Sequence, residues 1–572
     1  MKRMLKYFKF YKKETILAPL FKLLEALLEL LIPILVAKII DDGIANGDKG
    51  LIIRMVIIMI ACGIVGLAFS ILGQYFSAKC AVGYVTVLRH DLFNHLEHLR
   101  FSDIDNLGTS SMITRMTSDV NQVQTGINLT LRLFLRSPFV VFGAAIMGTI
   151  LAPQISYVFW IAIPVLSVVI FGIMLITMPM HKNVQENLDE VVKQTRENLT
   201  GVRVLRAFTQ EKEEINTYGT KIRKLEKSQN KVGNISNIMN PLTYIIINIA
   251  IIALIYVGGI KVNSGLLKQG EVIALYNYMS QILVELIKLA NLIITMTKSI
   301  ACSKRIAKIF DINTNVEIVE STKNEQLPYI CYDHVSLCYN NASCDSLSDI
   351  TLNIEKGETI GIIGGTGSGK SSLVNLLPRF YDATGGCLYL DGKDIKSYTP
   401  TELREKIGIV LQKAVLFKGT IKENLEWGRN NPTDEELEEA CRVSQALNVV
   451  SKKENGMDSI VEQNGRNFSG GERQRLSIAR ALIKKPEILI LDDSSSALDY
   501  QTDALLRKAI KELDYKPTVL IVSQRTTSIQ NASKIAVLDD GKLVGFDTHD
   551  NLLKNCLVYQ EIYYSQFKNG GK

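Results

Sequence analysis

Eight residues carry the most specific chemistry in the chain: Gly364, Gly365, Thr366, Gly367, Ser368, Gly369, Lys370 and Ser371. They follow an apolar β-type run, ETIGII, and precede SLVNLL, which reads as a helix. Bare glycines let backbone N–H groups wrap phosphate oxygens, and the helix N-terminus adds its positive end. Lys370 supplies a point charge for the β- and γ-phosphates, and the Ser371 hydroxyl suits Mg²⁺. With Ser372, this stretch predicts a phosphate-binding loop for a nucleoside triphosphate.

Three other apolar runs end in polar groups. IGIVLQ ends in Gln412, EILILDD in Asp492 and Asp493, and TVLIVSQ in Gln524. In a parallel α/β sheet, ligands gather beyond the carboxyl ends of the strands, so these groups are expected at one edge with the glycine loop. Two adjacent acids suggest a metal ligand and a base that activates water. A second phosphate-binding element opens the basic stretch NFSGGERQRLSIARALIKK, where Ser469, Gly470 and Gly471 begin a helix. One triphosphate does not need two such elements. Dimerisation answers this, with each chain's Ser469–Gly471 closing over the nucleotide held by the other.

The elements that must position these residues follow from length and patterning. A chain of 572 residues exceeds one core. Its mean hydropathy of +0.13 is high for a soluble protein. The net charge of +7 is modest and gives no reason to expect nucleic acid. Nine cysteines without a C-x-x-C pair read as buried or inert thiols. His90, His95 and His98 read as an exposed helix face. Six runs are expected to cross the bilayer, near 15–40, 52–77, 132–152, 154–180, 238–262 and 272–298. MKRMLKYFKFYKK reads as an interfacial basic helix on the cytoplasmic side, and the acidic loop DDGIANGDKG lies outside.

The long connections between spans two and three and between four and five are polar, and read as helices continuing below the membrane. Lys22, Glu25 and Glu29 in span one recur at helical steps. So do Asn277, Gln281, Glu285, Lys288, Asn291 and Thr295 in span six. Such stripes either line a polar pathway or bind neighbouring helices, with Glu285–Lys288 as an i,i+3 pair. The expected organisation is a helical membrane domain over 1–310, a linker over 311–326 and an α/β P-loop nucleotide-binding domain over 327–572.

With these motifs the whole chain resembles the ABC exporters, as a half-transporter. Its markers are the loop 364–371, FSGGE at 468–472, the strand ending at Asp492, and SALD at 496–499. The resemblance implies ATP and Mg²⁺ as cofactors and a multi-pass place in the cell membrane, with the nucleotide domain in the cytoplasm. It implies that Tyr339 stacks on adenine, that Gln412 senses Mg²⁺ and contacts the membrane domain, that Asp492 holds Mg²⁺, and that Asp499 sits at the dimer seam. Stretches near RFSDIDN and FTQEKEE resemble the coupling helices that dock on nucleotide domains.

Three positions depart from the family pattern: Glu472 for Gln, Asp493 for the catalytic Glu, and Gln524 for His. A shorter base and a residue that cannot relay a proton imply slow hydrolysis at this chain's own site. The pair resembles the degenerate half of bacterial heterodimeric, multidrug-type exporters. The expected partners are a second half-transporter, the lipid bilayer and an amphiphilic small molecule. A homodimeric lipid or peptide exporter and a nucleotide-gated, channel-like subunit are the alternatives.

Overall fold

Most of the apolar runs fold within helices much longer than a bilayer needs. The computed structural model describes residues 2–314, 318–339 and 344–567, so 315–317 of the expected linker lie outside the described residues. The chain divides into two units, one of residues 1–97 and 110–312 and the other of 98–109 and 313–572. The long helices of the first unit are Lys12–Lys38, Lys49–Glu97, Val120–Leu133, Arg136–Leu151, Tyr157–Thr200, Glu211–Asn263 and Gln269–Phe310. At 1.5 Å per residue, the 53 residues of Glu211–Asn263 run about 80 Å, against ~30 Å of hydrocarbon. Pro241 lies inside that helix.

Among the described residues, five helical stretches are long and apolar enough to cross a membrane: Lys49–Glu97, Thr109–Leu151, Tyr157–Thr200, Glu211–Asn263 and Gln269–Phe310. The sixth expected span, 15–40, is not among them, because Lys22, Glu25 and Glu29 stand in the middle of the Lys12–Lys38 helix. These charges are engaged within the unit. Lys22 Nζ donates to Glu25 at 2.6 Å and to Ser70 Oγ at 3.1 Å. Its stem crosses Gly73, where a Cβ would stand 3.1 Å from Lys22 Cγ.

Arg136, which the sequence reading did not single out, joins the two polar stripes. Its guanidinium donates to Glu285 Oε1 at 2.7 Å and to Glu29 Oε2 at 2.6 Å. Ser137 Oγ and Lys288 Nζ complete Glu285 at 2.7 and 2.8 Å. Arg136 and Glu285 are buried, whereas Glu29 and Lys288 are part-exposed. For these residues the helix-binding alternative holds, including the Glu285–Lys288 pair.

The N-terminal basic segment packs inward as well as carrying charge outward. Met4 and Tyr7 are buried, and Tyr84 donates its hydroxyl to the Met4 carbonyl at 2.8 Å. Arg3 Nη1 donates to the carbonyl of Phe310, the last residue of its helix, at 2.6 Å. His95 Nε2 donates to the neighbouring Ile309 carbonyl at 2.9 Å and is half-buried. The exposed-face reading of the histidines therefore fails for His95, which satisfies a helix-end carbonyl.

The second unit is built on strands β1 (Ile330–Leu337), β2 (Leu347–Ile354), β3 (Thr359–Gly364), β4 (Gly385–Leu390), β5 (Lys393–Asp394) and β6 (Ile407–Val410). It continues with β7 (Gly419–Thr420), β8 (Ile460–Val461), β9 (Ile488–Asp492), β10 (Thr518–Val522), β11 (Lys534–Asp539) and β12 (Lys542–Asp547). The main sheet has the order β12-β11-β3-β10-β9-β6, parallel except for β12. Every residue of β9 and β10 is buried, as strands covered on both faces must be. β2, β1, β4 and β5 form an antiparallel sheet, and β7 pairs with β8. Residues 319–324 run along this unit: Val319 N–H donates to Lys396 O and Asn324 N–H to Gly392 O, at 3.1 and 2.8 Å.

Candidate functional site

The parallel strands β3, β10, β9 and β6 are adjacent, so their carboxyl ends share one edge. There Thr366, Gly367, Gly369, Lys370, Ser371, Ser372, Gln412, Asp492, Asp493 and Gln524 line one cleft, with Ser346 and Val522. The glycine loop is shaped by its backbone. Gly369 has φ +92°, and a Cβ there would meet the Ser346 carbonyl at 2.6 Å. Lys370 lies back along the loop, donating to the Gly364 and Gly365 carbonyls at 2.9 and 2.5 Å and approaching Ser368 Oγ at 3.4 Å. Burial pushes its amine below the usual lysine range.

The two acids sit differently. Asp492 ends β9 and accepts a hydrogen bond from Ser371 Oγ at 3.0 Å. Burial raises its carboxyl above the usual range, and the Ser371 hydroxyl opposes that rise. Asp493 lies just past the strand with φ 46°, a left-handed conformation. Its Oδ2 accepts from Gln412 Nε2 at 3.3 Å. Burial raises it too, opposed by Gln412. Gln524, just beyond β10, is exposed and lines the same cleft.

Tyr339 reaches the loop through a neighbour: its hydroxyl donates to Ser372 Oγ at 2.9 Å. Its ring meets Tyr381 edge-on at 4.9 Å. Ser469, Gly470, Gly471, Glu472 and Asp499 do not line the cleft. Ser469 instead caps the Gly470–Ile483 helix. Its hydroxyl accepts from Glu472 N–H at 3.3 Å, and Glu472 Oε2 accepts from Ser469 N–H at 2.7 Å. That backbone bond holds the Glu472 carboxyl below its usual range. Gly471 packs on the chain, its Cβ position 2.9 Å from the Ala497 carbonyl, whereas a Cβ on Gly470 would meet nothing. Asp499 is exposed at the start of the Tyr500–Lys511 helix.

Because a glutamine oxygen accepts the same bond, Glu472→Gln is expected to keep the cap. Its thermal midpoint should stay within about 2 °C of the parent in a melting scan, whereas Ser469→Ala should cost about 1 kcal/mol.

The sequence reading missed Ser346, Arg525 and Tyr381. Arg525 donates to the Leu498 carbonyl at 3.1 Å and stacks over Tyr500 at 5.0 Å, fixing the segment that carries Asp499.

Comparison with known proteins agrees with this arrangement. Residues 15–286 match the family described as the ABC transporter transmembrane region, and 347–496 match the ABC transporter family. The chain is 34% identical over 572 residues to the uncharacterized ABC transporter ATP-binding protein YfiB of Bacillus subtilis, covering 100% of this chain and 99% of YfiB. It is 28% identical over 566 residues to the ATP-dependent lipid A-core flippase of Yersinia pestis, covering 97% and 96%. Its fold matches a solved structure of a bacterial Atm1-family ABC exporter with ATP bound. That match has TM-score 0.82 and 22% identity over 98% of this chain and 99% of the other. A membrane helical unit joined to a phosphate-loop unit, with relatives matched end to end, places this chain in the ABC transporter family as a membrane-spanning ATPase coupled to transport.

Proposed function

We propose that this chain is one half of a heterodimeric exporter of amphiphilic molecules, whose own ATP site hydrolyses slowly. The observation that carries this reading is that Asp493 and Gln524 line the same cleft as Lys370 and Ser371. The general base and its polar partner are thus altered together, at one site. Gln524 can donate a hydrogen bond but cannot hold charge or relay a proton. Gly470 is compatible with a second chain, since no atom of the described residues lies within 4 Å of where its Cβ would stand. Exposed Phe208 on one unit and the exposed Phe417–Trp427 stack on the other are apolar faces of the kind that contact another subunit.

Ser371, Asp492 and Gln412 offer a hydroxyl, a carboxylate and an amide oxygen, a hard donor set that fits Mg²⁺. Magnesium commonly takes one or two carboxylates and completes its shell with water and substrate phosphates. When bound, the ion would neutralise phosphate charge. Lys370 would bind the phosphates, Asp493 would orient water, and Ser469 with Gly470 would close over the partner's nucleotide. The Lys12–Lys38 helix crosses the bilayer as the sixth span, its charges offset by Arg136 and one another. The amphiphilic substrate class follows the membrane setting and the lipid-handling relative.

The test is ATP turnover by the purified chain alone and with the product of a neighbouring half-transporter gene. Slow hydrolysis alone, and turnover at least ~10-fold faster with the partner, is the expected result. Fast hydrolysis by the chain alone would sink the heterodimer.

A further inference from the structure

The unit holding the phosphate loop also contains the short helix Phe101–Leu107, which belongs in sequence to the membrane half. Contacts from Phe101 and Asp105 help hold it there. The Phe101 and Phe380 rings lie 4.3 Å apart. The Tyr381 hydroxyl donates to Asp105 Oδ2 at 2.5 Å, a charge-assisted bond of the stronger class. The turn carrying Phe380 and Tyr381 is itself braced. Arg379 pairs with Asp382 at 2.9 Å, and Arg404 stacks over Phe380 at 5.5 Å while donating to the Pro378 carbonyl at 3.1 Å.

On its other side, Tyr381 meets the Tyr339 ring edge-on, and Tyr339 reaches Ser372 in the cleft wall. A continuous path thus runs Ser372, Tyr339, Tyr381, Asp105. We propose that Tyr381 is a positioning residue that couples base binding on Tyr339 to the hold on the Phe101–Leu107 helix. A base stacking on Tyr339 sets the ring against which Tyr381 leans, and so sets the direction of its hydroxyl toward Asp105. Linkage makes the effect reciprocal: if the base favours the Asp105 bond, the Asp105 bond favours the base. This inference rests on the proposed role of Tyr339 as the adenine platform.

The test measures nucleotide affinity of the full chain in lipid nanodiscs, by displacement of a fluorescent trinitrophenyl-ATP. ATP and Mg-tripolyphosphate, which lacks a base, are the two competitors. Tyr381→Phe keeps the ring and removes only the hydroxyl; Asp105→Asn keeps the shape and removes the charge. Each is expected to weaken ATP about 5-fold while leaving tripolyphosphate unchanged, and the double variant should be no weaker than either single one. Unchanged ATP affinity, equal losses for both competitors, or additive losses would each overturn the coupling. Tyr339→Ala separates the two readings. If it leaves ATP unchanged, the platform reading fails and the coupling with it. If it weakens ATP while the other variants do not, the platform stands and the coupling alone fails.

Discussion

Asp493→Glu combined with Gln524→His is expected to raise hydrolysis at this chain's own site by about 10²-fold. The reasoning is geometric. Asp493 stands at the cleft wall with its carboxylate held by Gln412 at 3.3 Å. A base must come within ~3 Å of the proton it removes, and a misplacement on the order of 1 Å costs ~10²-fold. One methylene supplies that reach. The histidine adds a group able to hold charge beside the transferred phosphoryl. Groups that act as a unit are not additive, so either single change should recover much less than the pair. Single-turnover hydrolysis of bound ATP, with a competent partner site silenced, reads this site alone. No gain in the double variant would mean that the two substitutions are not what makes the site slow.

The second large effect is in the membrane unit. Arg136→Met is expected to destabilise it by about 3 kcal/mol, because buried Glu285 loses one of its two cations and Glu29 loses its partner. Arg136→Met with Glu285→Leu removes both charges and should recover most of the loss. Glu29 and Lys288 are less buried than Glu285, so losing these partners costs them less. Thermal unfolding in nanodiscs is the measurement, with a fall on the order of 10 °C for the single variant. A single variant as stable as the double one would show that Lys288 and Ser137 alone suffice for Glu285.

The nucleotide site was legible wherever the signal was local. The glycine loop announces itself by spacing, and strand-end polar groups converge once the sheet is parallel, so Gln412, Asp492, Asp493 and Gln524 needed no long-range information. Arg136 was not legible, because its role depends on three helices meeting and its own segment shows no polar stripe. Glu25 and Glu29 were counted within an apolar span although they and Lys22 keep that helix below the apolarity of the others. Tyr381 and Asp105 lie 276 residues apart: RFSDIDN resembled a stretch that docks on a nucleotide domain, but nothing local named Tyr381 as the residue Asp105 meets. Glu472 read as a departure from the family, yet locally it completes a cap that glutamine would complete as well.

The Glu211–Asn263 helix is also a machine part with a gearing ratio. Pivoting at Pro241, the arm that runs back to Glu211 is about 45 Å long, and a bend of about 5° carries its end about 4 Å. Pro241 removes one rung of hydrogen bonding, so the rod's compliance is concentrated there. A small bend at the proline would thus become a larger displacement at the end of the arm.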